Sequence, residues 1–321
     1  MSRDRDVLVG TASAIVAATL FGMLGPLARF GAEAGVAGVA FTAWRALLGI
    51  LFLGVLITVR GGVRPSIAAI RGLSTRGRAS LAVAGAMGLT LNSSIFTAFG
   101  LIPIALALML FYTYQAGVVV VDVVLGRERI TPSRVVALVL SSVGVALVLF
   151  GGGGPGTATG INPLGIVLGL CAAASQVVFV TVSRHGYRSV PADAATLVNL
   201  SVSVVGATVI AILVGQTEDL LTPFRSLDPL PVLLLAGVVA AGFSSLLFLS
   251  AIRKLGGTRT GILMLLEPVV GAILAGLWLG EALGPVQFAG GALVLLGALV
   301  LQLRSDPDLE PVTEPAAGPA V

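Results

Sequence analysis

Ten apolar runs, separated by charged, proline, glycine or asparagine residues, constrain the fold of this chain more than any other feature. A helix of about 20 apolar residues crosses the roughly 30 Å hydrocarbon core of a bilayer. The runs are residues 7–28, 38–59, 80–100, 105–125, 133–150, 163–183, 193–214, 230–251, 260–279 and 284–303. The chain is 56% hydrophobic and only 11% charged, whereas a soluble domain is about 25% charged. The sequence therefore predicts an all-α integral membrane protein with ten transmembrane helices.

The basic residues predict the orientation of these helices. With the N-terminus inside, only Arg29, Arg45 and Arg225 of the 19 basic residues lie outside the cytoplasmic segments. Positive charge concentrates in cytoplasmic loops of membrane proteins. We therefore expect both termini in the cytoplasm. Arginine supplies nearly all of this charge, with Lys254 the one lysine, which favours a GC-rich bacterial genome and so the cell inner membrane. The net charge of +4 then indicates contact with the lipid bilayer and not with nucleic acid.

The chain also repeats itself. The fourth and fifth runs match the ninth and tenth at one fixed offset, which pairs Gln115 with Pro268, Glu128 with Glu281, and Pro132 with Pro285. Each copy holds five spans, an odd number, so the second copy enters the membrane in the opposite orientation. Inverted repeats of this kind are typical of secondary transporters, whose substrate sites lie near the midplane between the two halves.

The predicted boundaries follow from this duplication. Residues 7–150 form the first five-helix repeat and residues 163–303 the second. The segment 304–321 is acidic and contains Pro307, Pro311, Pro315 and Pro319. We expect it to be a disordered cytoplasmic tail, because it has too little apolar surface to fold.

Four short motifs resemble a known family. They are Tyr-Thr-Tyr at 112–114, Gly-Arg-Glu-Arg-Ile-Thr-Pro at 126–132, Glu-Pro-Val at 267–269 and Gly-Glu at 280–281. Together they resemble the duplicated EamA-type domain of the drug/metabolite transporter superfamily, over about residues 7–303. The resemblance implies ten helices in two repeats, and a small-molecule permease, often an exporter, that works by alternating access without ATP. Two departures, Gln115 in place of proline and an arginine between Gly126 and Glu128, put functional symmetry of the halves in doubt.

Glu267 is the leading candidate for a residue on a transport pathway. It lies about seven residues into the ninth run, beside the helix-breaking Pro268. An unpaired carboxylate in lipid costs about 2.5–3.5 kcal/mol, so it faces protein or a watery cavity. It is a candidate for proton coupling or for binding a substrate ammonium group. The structural alternative, of equal weight, is an acid hydrogen-bonded where Pro268 frees a carbonyl or paired with a basic residue.

Arg45 is a basic residue well inside an apolar run. It follows Trp44 and lies about seven residues from the outer end of the second span. We expect it to face inward, where it would bind a substrate carboxylate or compensate a buried acid. The alternative is that it extends to the outer interface. The rise of two straight helices separates Arg45 and Glu267 by about 10 Å, so they are not expected to pair directly.

Other polar residues inside the spans either join helices or line a cavity. We expect some of Tyr112, Tyr114, Gln115, Asn92 and Gln176 to line the pathway.

Several residues are expected to be structural. Gly25 and Pro26 interrupt the first span in a way that favours a hinge, as Pro268 does in the ninth. Arg29 and Glu33, four residues apart, are expected to form a surface pair. Glu281 is expected to cap or brace a helix end, as is Glu128.

The residue types argue against an enzyme. Cys171 is the one cysteine and His185 the one histidine, which excludes an internal disulfide and a cysteine-based metal cluster. We therefore expect no catalytic residues, cofactor or metal. The predicted function is export of a small organic metabolite or drug by a monomer or homodimer, with proton antiport or facilitated exchange. The alternatives are a flippase of lipid-linked substrates, a membrane enzyme and a scaffold without transport.

Overall fold

A computed structural model of the protein describes residues 2–59, 63–126, 131–150, 162–187, 189–255, 257–281 and 284–303. This part of the chain folds into helices joined by short turns, and it contains no strand. The predicted tail at 304–321 lies outside the described residues, and so does Glu128.

In the described residues, the first half of the chain forms eight helices. They are α1 (Ser2–Gly22), α2 (Leu24–Glu33), α3 (Gly38–Val59), α4 (Val63–Arg71), α5 (Thr75–Leu101), α6 (Ile104–Tyr112), α7 (Tyr114–Val124) and α8 (Pro132–Phe150). The second half forms eight more and one π-helical segment. They are α9 (Pro163–His185), α10 (Ala192–Leu213), α11 (Thr217–Arg225), α12 (Leu230–Leu234), the π-helical segment Leu235–Phe243, α13 (Ser244–Leu255), α14 (Gly257–Met264), α15 (Leu266–Leu279) and α16 (Pro285–Leu303).

Eight stretches of the described chain are long and apolar enough to cross a membrane. They are Arg5–Glu33, Gly38–Val59, Thr75–Leu101, Ile104–Val124, Pro163–Ser183, Asp193–Leu213, Leu230–Ile252 and Thr260–Leu279. Two further apolar helices, Val135–Leu147 and Pro285–Val300, are shorter. They correspond to the fifth and tenth predicted spans, so eight spans agree by length and composition, and the full number of ten stays a prediction.

Three spans are interrupted by a single turn. The first breaks at Met23, between α1 and α2, the fourth at Thr113, and the ninth at Leu265. At Thr113 and at Leu265 the backbone N–H donates to the carbonyl three residues earlier, at 3.3 and 3.1 Å. These bonds tighten the helix locally into a 3₁₀ turn. The two tight turns lie in the fourth and ninth spans, which the sequence repeat relates to each other.

The π-helical segment Leu235–Phe243 interrupts the eighth span. It consists of small and aliphatic residues apart from Phe243. Such wide turns inside α-helices are frequent at functional sites. The sequence analysis did not predict it, because its apolar pattern is that of any buried helix.

Helices from the two halves of the chain pack against each other. α8 packs on α16, α5 on α9, α3 on α10, and α1 on α13. The approach of α8 to α16 is close enough that a Cβ on Gly144 would lie 2.6 Å from the Gly290 carbonyl oxygen. The interior beside these contacts is filled by large, fully buried side chains such as Phe41, Leu106 and Leu110.

The short helix α11 fixes the beginning of the second span. Gln216, just before α11, accepts a hydrogen bond from the Ala40 N–H, and Asp219 accepts one from the Ala37 N–H. The Trp44 indole N–H donates to the Leu220 carbonyl at 3.1 Å. Side chains outside α3 therefore satisfy backbone donors that a helix beginning always leaves unpaired.

Candidate functional site

Tyr112 and Glu267 meet where the fourth and ninth spans are interrupted. The hydroxyl Oη of Tyr112 lies 3.0 Å from Glu267 Oε2 and 3.3 Å from the Met264 carbonyl oxygen. Tyr112 is the last residue of α6, directly before the turn at Thr113, and its side chain is buried. Glu267 is the second residue of α15, just after the turn at Leu265, and is partly exposed. One hydroxyl thus contacts a carboxylate and a backbone carbonyl together.

Pro268 explains why the Met264 carbonyl is available. In a continuous helix the N–H of residue 268 would donate to the carbonyl of residue 264. Proline has no N–H, and its ring also crowds that carbonyl. The Tyr112 hydroxyl takes the place of the missing donor. The sequence analysis anticipated a carbonyl freed by Pro268, but the partner that satisfies it is a tyrosine 152 residues away in sequence.

The first span crosses α15 at the same level. A Cβ on Gly22 would lie 2.8 Å from the Glu267 carbonyl oxygen and 3.1 Å from the Gly271 backbone nitrogen. Two glycines thus allow the backbones of α1 and α15 to approach closely, as small residues commonly do between membrane helices. The contact places the end of α1, one residue before the break at Met23, directly against Glu267.

Aromatic rings surround the tyrosine. The Tyr114 ring centroid lies 5.9 Å from that of Tyr112 and 5.2 Å from that of Phe111. Gln115 follows Tyr114 at the beginning of α7, and both side chains are half-buried. Three of the residues predicted to line a pathway, Tyr112, Tyr114 and Glu267, therefore form one cluster. Gln115 is their neighbour in sequence.

Arg45 and Asn92 form a second cluster, between α3 and α5. Arg45 Nη2 donates to Asn92 Oδ1 at 2.5 Å, and the guanidinium carbon lies 5.0 Å above the centre of the Phe96 ring. The Arg45 residue is only 7% exposed. The alternative in which Arg45 extends to the outer interface is therefore wrong. Because Asn92 and Phe96 are four residues apart on α5, they lie on one helix face and hold the guanidinium from two sides.

Gln176 is not brought into either cluster. It lies on α9, which packs against α5, α6 and α7. Its Oε1 atom is buried and has no hydrogen-bond partner among the described residues. The sequence analysis grouped Gln176 with the pathway residues on polarity alone, and the described contacts give it no partner among them.

The predicted pairing of Arg29 with Glu33 is wrong. Arg29 instead pairs with Glu281, at 2.8 Å between Nη2 and Oε1, and it also donates to the Ile102 carbonyl at 3.4 Å. The other oxygen of Glu281 accepts the Ile104 backbone N–H at 2.7 Å. The expectation that Glu281 braces a helix end is therefore confirmed, since this carboxylate caps the beginning of α6.

Gly280 positions the capping carboxylate. Its φ of 68° lies in the left-handed region, which ends α15 as glycine commonly ends helices. The chain then reverses and presents Glu281 to the beginning of α6. Because the end of α15 meets the beginning of α6 here, these two helices run antiparallel.

Replacing Glu281 by alanine is expected to lower the free energy of unfolding by about 1–3 kcal/mol, since it leaves the Ile104 N–H without its acceptor and Arg29 without its carboxylate partner. Glu218→Ala is the matched control. Glu218 forms an ion pair with Arg225 at 73% and 61% side-chain exposure, and such pairs contribute about 0–1 kcal/mol. Thermal unfolding of the purified protein in detergent measures both. Equal effects of the two substitutions would contradict the capping role.

The predicted hinge residues lie next to the break in the first span. Gly25 and Pro26 are buried in α2, and a Cβ on Gly25 would lie 2.5 Å from Ile104 Cγ2. The interruption itself falls at Met23, three residues before Pro26. In the ninth span the interruption at Leu265 is likewise three residues before Pro268. Both offsets follow from proline disturbing the preceding helical turn and not its own position. Movement at these hinges stays a prediction.

The chemistry available in these clusters is hydrogen bonding, proton binding and charge pairing. The described residues contain no group of three or more His, Cys, Asp or Glu side chains that could hold a metal ion. The first cluster contains one carboxylate, Glu267, with a hydroxyl partner. The second contains one guanidinium, Arg45, with neutral partners.

Comparison with known proteins agrees with the repeat and the apolar helices. A model of the EamA-like transporter family matches residues 8–150 and again residues 163–303. An uncharacterized transporter from Archaeoglobus fulgidus is 24% identical over 197 residues, which cover 61% of this chain and 66% of that relative, slightly less than two thirds. One solved crystal structure superposes with a TM-score of 0.61 at 19% identity, covering 92% of this chain and 96% of that one. At this identity the likeness shows the fold alone. With two family matches and a series of apolar helices, the chain is a multi-pass membrane protein that belongs to the EamA-like transporter family.

Proposed function

We propose that this protein exports a small organic solute across the cell inner membrane by alternating access, coupled to proton entry at Glu267. The observation that carries the proposal is the hydrogen bond between Tyr112 and Glu267. It joins the interrupted fourth and ninth spans, and ionisable residues inside membrane spans commonly form proton and substrate pathways.

The helix contacts support two inverted five-helix repeats, 7–150 and 163–303. The concentration of basic residues in alternate loops supports placing both termini in the cytoplasm. If the ten predicted spans are numbered in order, α5 on α9 is the third span on the sixth, and α13 on α1 is the eighth on the first. Exchanging the two halves converts one contact into the other. The remaining large contacts, α3 on α10 and α8 on α16, are the second span on the seventh and the fifth on the tenth. Each maps onto itself, as expected for a two-fold axis in the membrane plane.

The depth of Glu267 suits a site near the bilayer midplane. Glu267 lies seven residues after the first residue of its span, and Tyr112 lies eight residues after the first residue of its own, Ile104. At 1.5 Å per residue these are about 10 and 12 Å of helix rise from opposite membrane faces. Both groups then lie well inside a core about 30 Å thick.

The Tyr112 hydroxyl links proton binding to the interrupted helix. It has a single proton and two acceptors within reach, Glu267 Oε2 at 3.0 Å and the Met264 carbonyl at 3.3 Å. When Glu267 is ionised, Tyr112 donates to the carboxylate. When Glu267 is protonated, the carboxylic acid donates to Tyr112 Oη, and the tyrosine proton turns to the Met264 carbonyl. Loading one proton therefore changes a hydrogen bond at the turn of the ninth span.

Efflux from whole cells tests the proposal. Cells that express the protein and cells with empty vector are loaded with a panel of amino acids, organic acids and toxic metabolites. Efflux is followed at an acidic and at an alkaline external pH. We expect at least one compound to leave faster from expressing cells, and faster still at acidic pH, because the inward proton gradient is then larger. If every compound left expressing cells at the rate seen with the empty vector, export would be contradicted. If the efflux rate were the same at both external pH values, proton coupling would be contradicted.

A further inference from the structure

We infer that Arg45 binds the carboxylate group of the transported solute, so that the solute is an organic acid or another carboxylate-bearing compound. This inference rests on the proposed transport function and deepens it by naming the class of substrate. It depends on the second cluster, between α3 and α5, and not on the hydrogen bond between Tyr112 and Glu267.

Within the described part of the chain, the charge of Arg45 has no counter-ion. The residue is 7% exposed, and no carboxylate of the described residues lies within ion-pair distance of it. Glu267, the acid inside the ninth span, is hydrogen-bonded to Tyr112 instead. An uncompensated guanidinium away from water is costly, and structures keep one where it pairs with a charge or lines a pathway. An anion that arrives with the solute would supply the missing charge.

The donors of Arg45 are also incompletely used. A guanidinium has five N–H donors and no acceptor. The described residues give Nη2 one neutral acceptor, Asn92 Oδ1, and the buried Nε has no partner. Asn92 is itself fixed, because its Nδ2 donates to the Gly88 carbonyl at 2.8 Å. The guanidinium is therefore held in place by neutral groups while donors remain for a ligand.

The surroundings of Arg45 have the features of a site. The π-helical segment packs against α3 at this level, where a Cβ on Gly237 would lie 3.0 Å from the Arg45 carbonyl oxygen. Wide helical turns of this kind are frequent at functional sites. Phe96 presents its ring face to the guanidinium and is itself 4% exposed, so it holds Arg45 in place from within the core.

One guanidinium favours a carboxylate over a phosphate. Its planar fork matches the two oxygens of a carboxylate in a bidentate pair, and the single positive charge balances a single negative charge. A phosphate monoester with nearly two negative charges would need a second cation. No second cation of the described residues contacts Arg45, whose partners are an amide and an aromatic ring.

Thermal stabilisation of the purified full-length protein in detergent tests the inference without requiring transport. The probes are propionate, benzoate and N-acetylalanine, each beside its own neutral carboxamide, with phenyl phosphate as the competing anion. We expect at least one carboxylate to raise the unfolding temperature in a saturable way, with little effect of its carboxamide. Arg45→Gln is expected to abolish this shift. Arg225→Gln, an exposed arginine far along the chain, is the matched control and is expected to retain it.

Arg45→Lys keeps the inference testable if Arg45→Gln does not fold. It preserves the charge but not the planar fork, so we expect carboxylate affinity to fall about tenfold. The inference is overturned if no carboxylate stabilises the wild type, if carboxylate and carboxamide stabilise it equally, if phenyl phosphate binds more tightly, or if both Arg45 variants bind carboxylates as the wild type does. Carboxylate binding without any efflux would contradict the transport proposal and leave the assignment of Arg45 as a carboxylate site standing. Efflux restricted to solutes that lack a carboxylate would contradict this inference and leave the transport proposal standing.

Discussion

Replacing Glu267 by glutamine is expected to reduce proton-coupled efflux to the level of the empty vector. Glutamine has nearly the same shape, and its Oε1 can still accept the Tyr112 hydroxyl that now donates to Glu267 Oε2. The fold around the site should therefore survive, while the group that binds and releases a proton is gone. The measurement is efflux of one identified solute at an acidic and at an alkaline external pH, with protein amounts in the membrane matched.

Two further variants separate proton binding from structure. Glu267→Asp keeps an ionisable group, so we expect a slower efflux that still responds to pH. Glu218→Gln removes an exposed acid on α11 and is expected to behave as the wild type. If Glu267→Gln exported as fast as the wild type at both pH values, proton coupling at this residue would be excluded and Glu267 would be a structural acid.

The second large effect is expected at the crossing of the first and ninth spans. A side chain on Gly22 would begin with a Cβ 2.8 Å from the Glu267 carbonyl oxygen and 3.0 Å from Val270 Cβ. The nearest of these atoms is backbone and cannot rotate away, so the helices must separate. We expect Gly22→Val to lower the free energy of unfolding by about 3 kcal/mol, at the upper end of typical overpacking costs. Thermal unfolding in detergent measures it.

Gly54→Val is the matched control for this crossing. Gly54 lies on α3 in another membrane span, and a Cβ there would meet no atom within 4 Å. The control therefore introduces the same side chain into a membrane helix without a collision. If the Gly22→Val and Gly54→Val proteins had the same free energy of unfolding, the close crossing of α1 and α15 would be contradicted.

Glu267 and Pro268 show how far sequence could predict the site. An acid beside a proline in an apolar run predicted both a buried polar group and a helix break. The position of the break, at Leu265, follows from the mechanics of proline on the preceding turn. The partner could not be predicted in the same way, because Tyr112 lies 155 residues earlier in sequence. Polarity singled out Tyr112, but only the packing of α6 on α15 joins the two.

The break in the fourth span had no comparable signal. The first repeat has Gln115 where the second has proline, and yet the helix turns at Thr113. The Thr113 hydroxyl donates to the Leu110 carbonyl at 2.7 Å, beside the tight backbone bond to the same oxygen. Threonine commonly bonds to the preceding turn without breaking a helix. The sequence of the fourth span therefore cannot reveal an interruption that tertiary packing stabilises.

Charge pairs were predicted least well. The i, i+4 spacing of Arg29 and Glu33 favoured a local pair, but Glu281 offers Arg29 a partner that also caps a helix. For Arg45 the sequence favoured the interior over the membrane interface but could not name the side chains that hold the guanidinium there. Those side chains are Asn92 and Phe96, which α5 presents on one face. Glu281 is the better partner for Arg29 because its carboxylate also accepts the Ile104 N–H, so one group satisfies two donors.

Access of water to position 114 from each side of the membrane tests the transport pathway most directly. The Tyr114 ring lies beside that of Tyr112, and Tyr114→Cys leaves Tyr112 and Glu267 in place. Cys171 is the one native cysteine, so Cys171→Ser gives a background with a single thiol at 114. A membrane-impermeant thiol reagent is then applied to right-side-out and to inside-out vesicles, with Val59→Cys, at an exposed end of α3, as the one-sided control. Alternating access predicts labelling at 114 from both sides and at 59 from one. A thiol at 114 that reacts from neither side would contradict a pathway through this site.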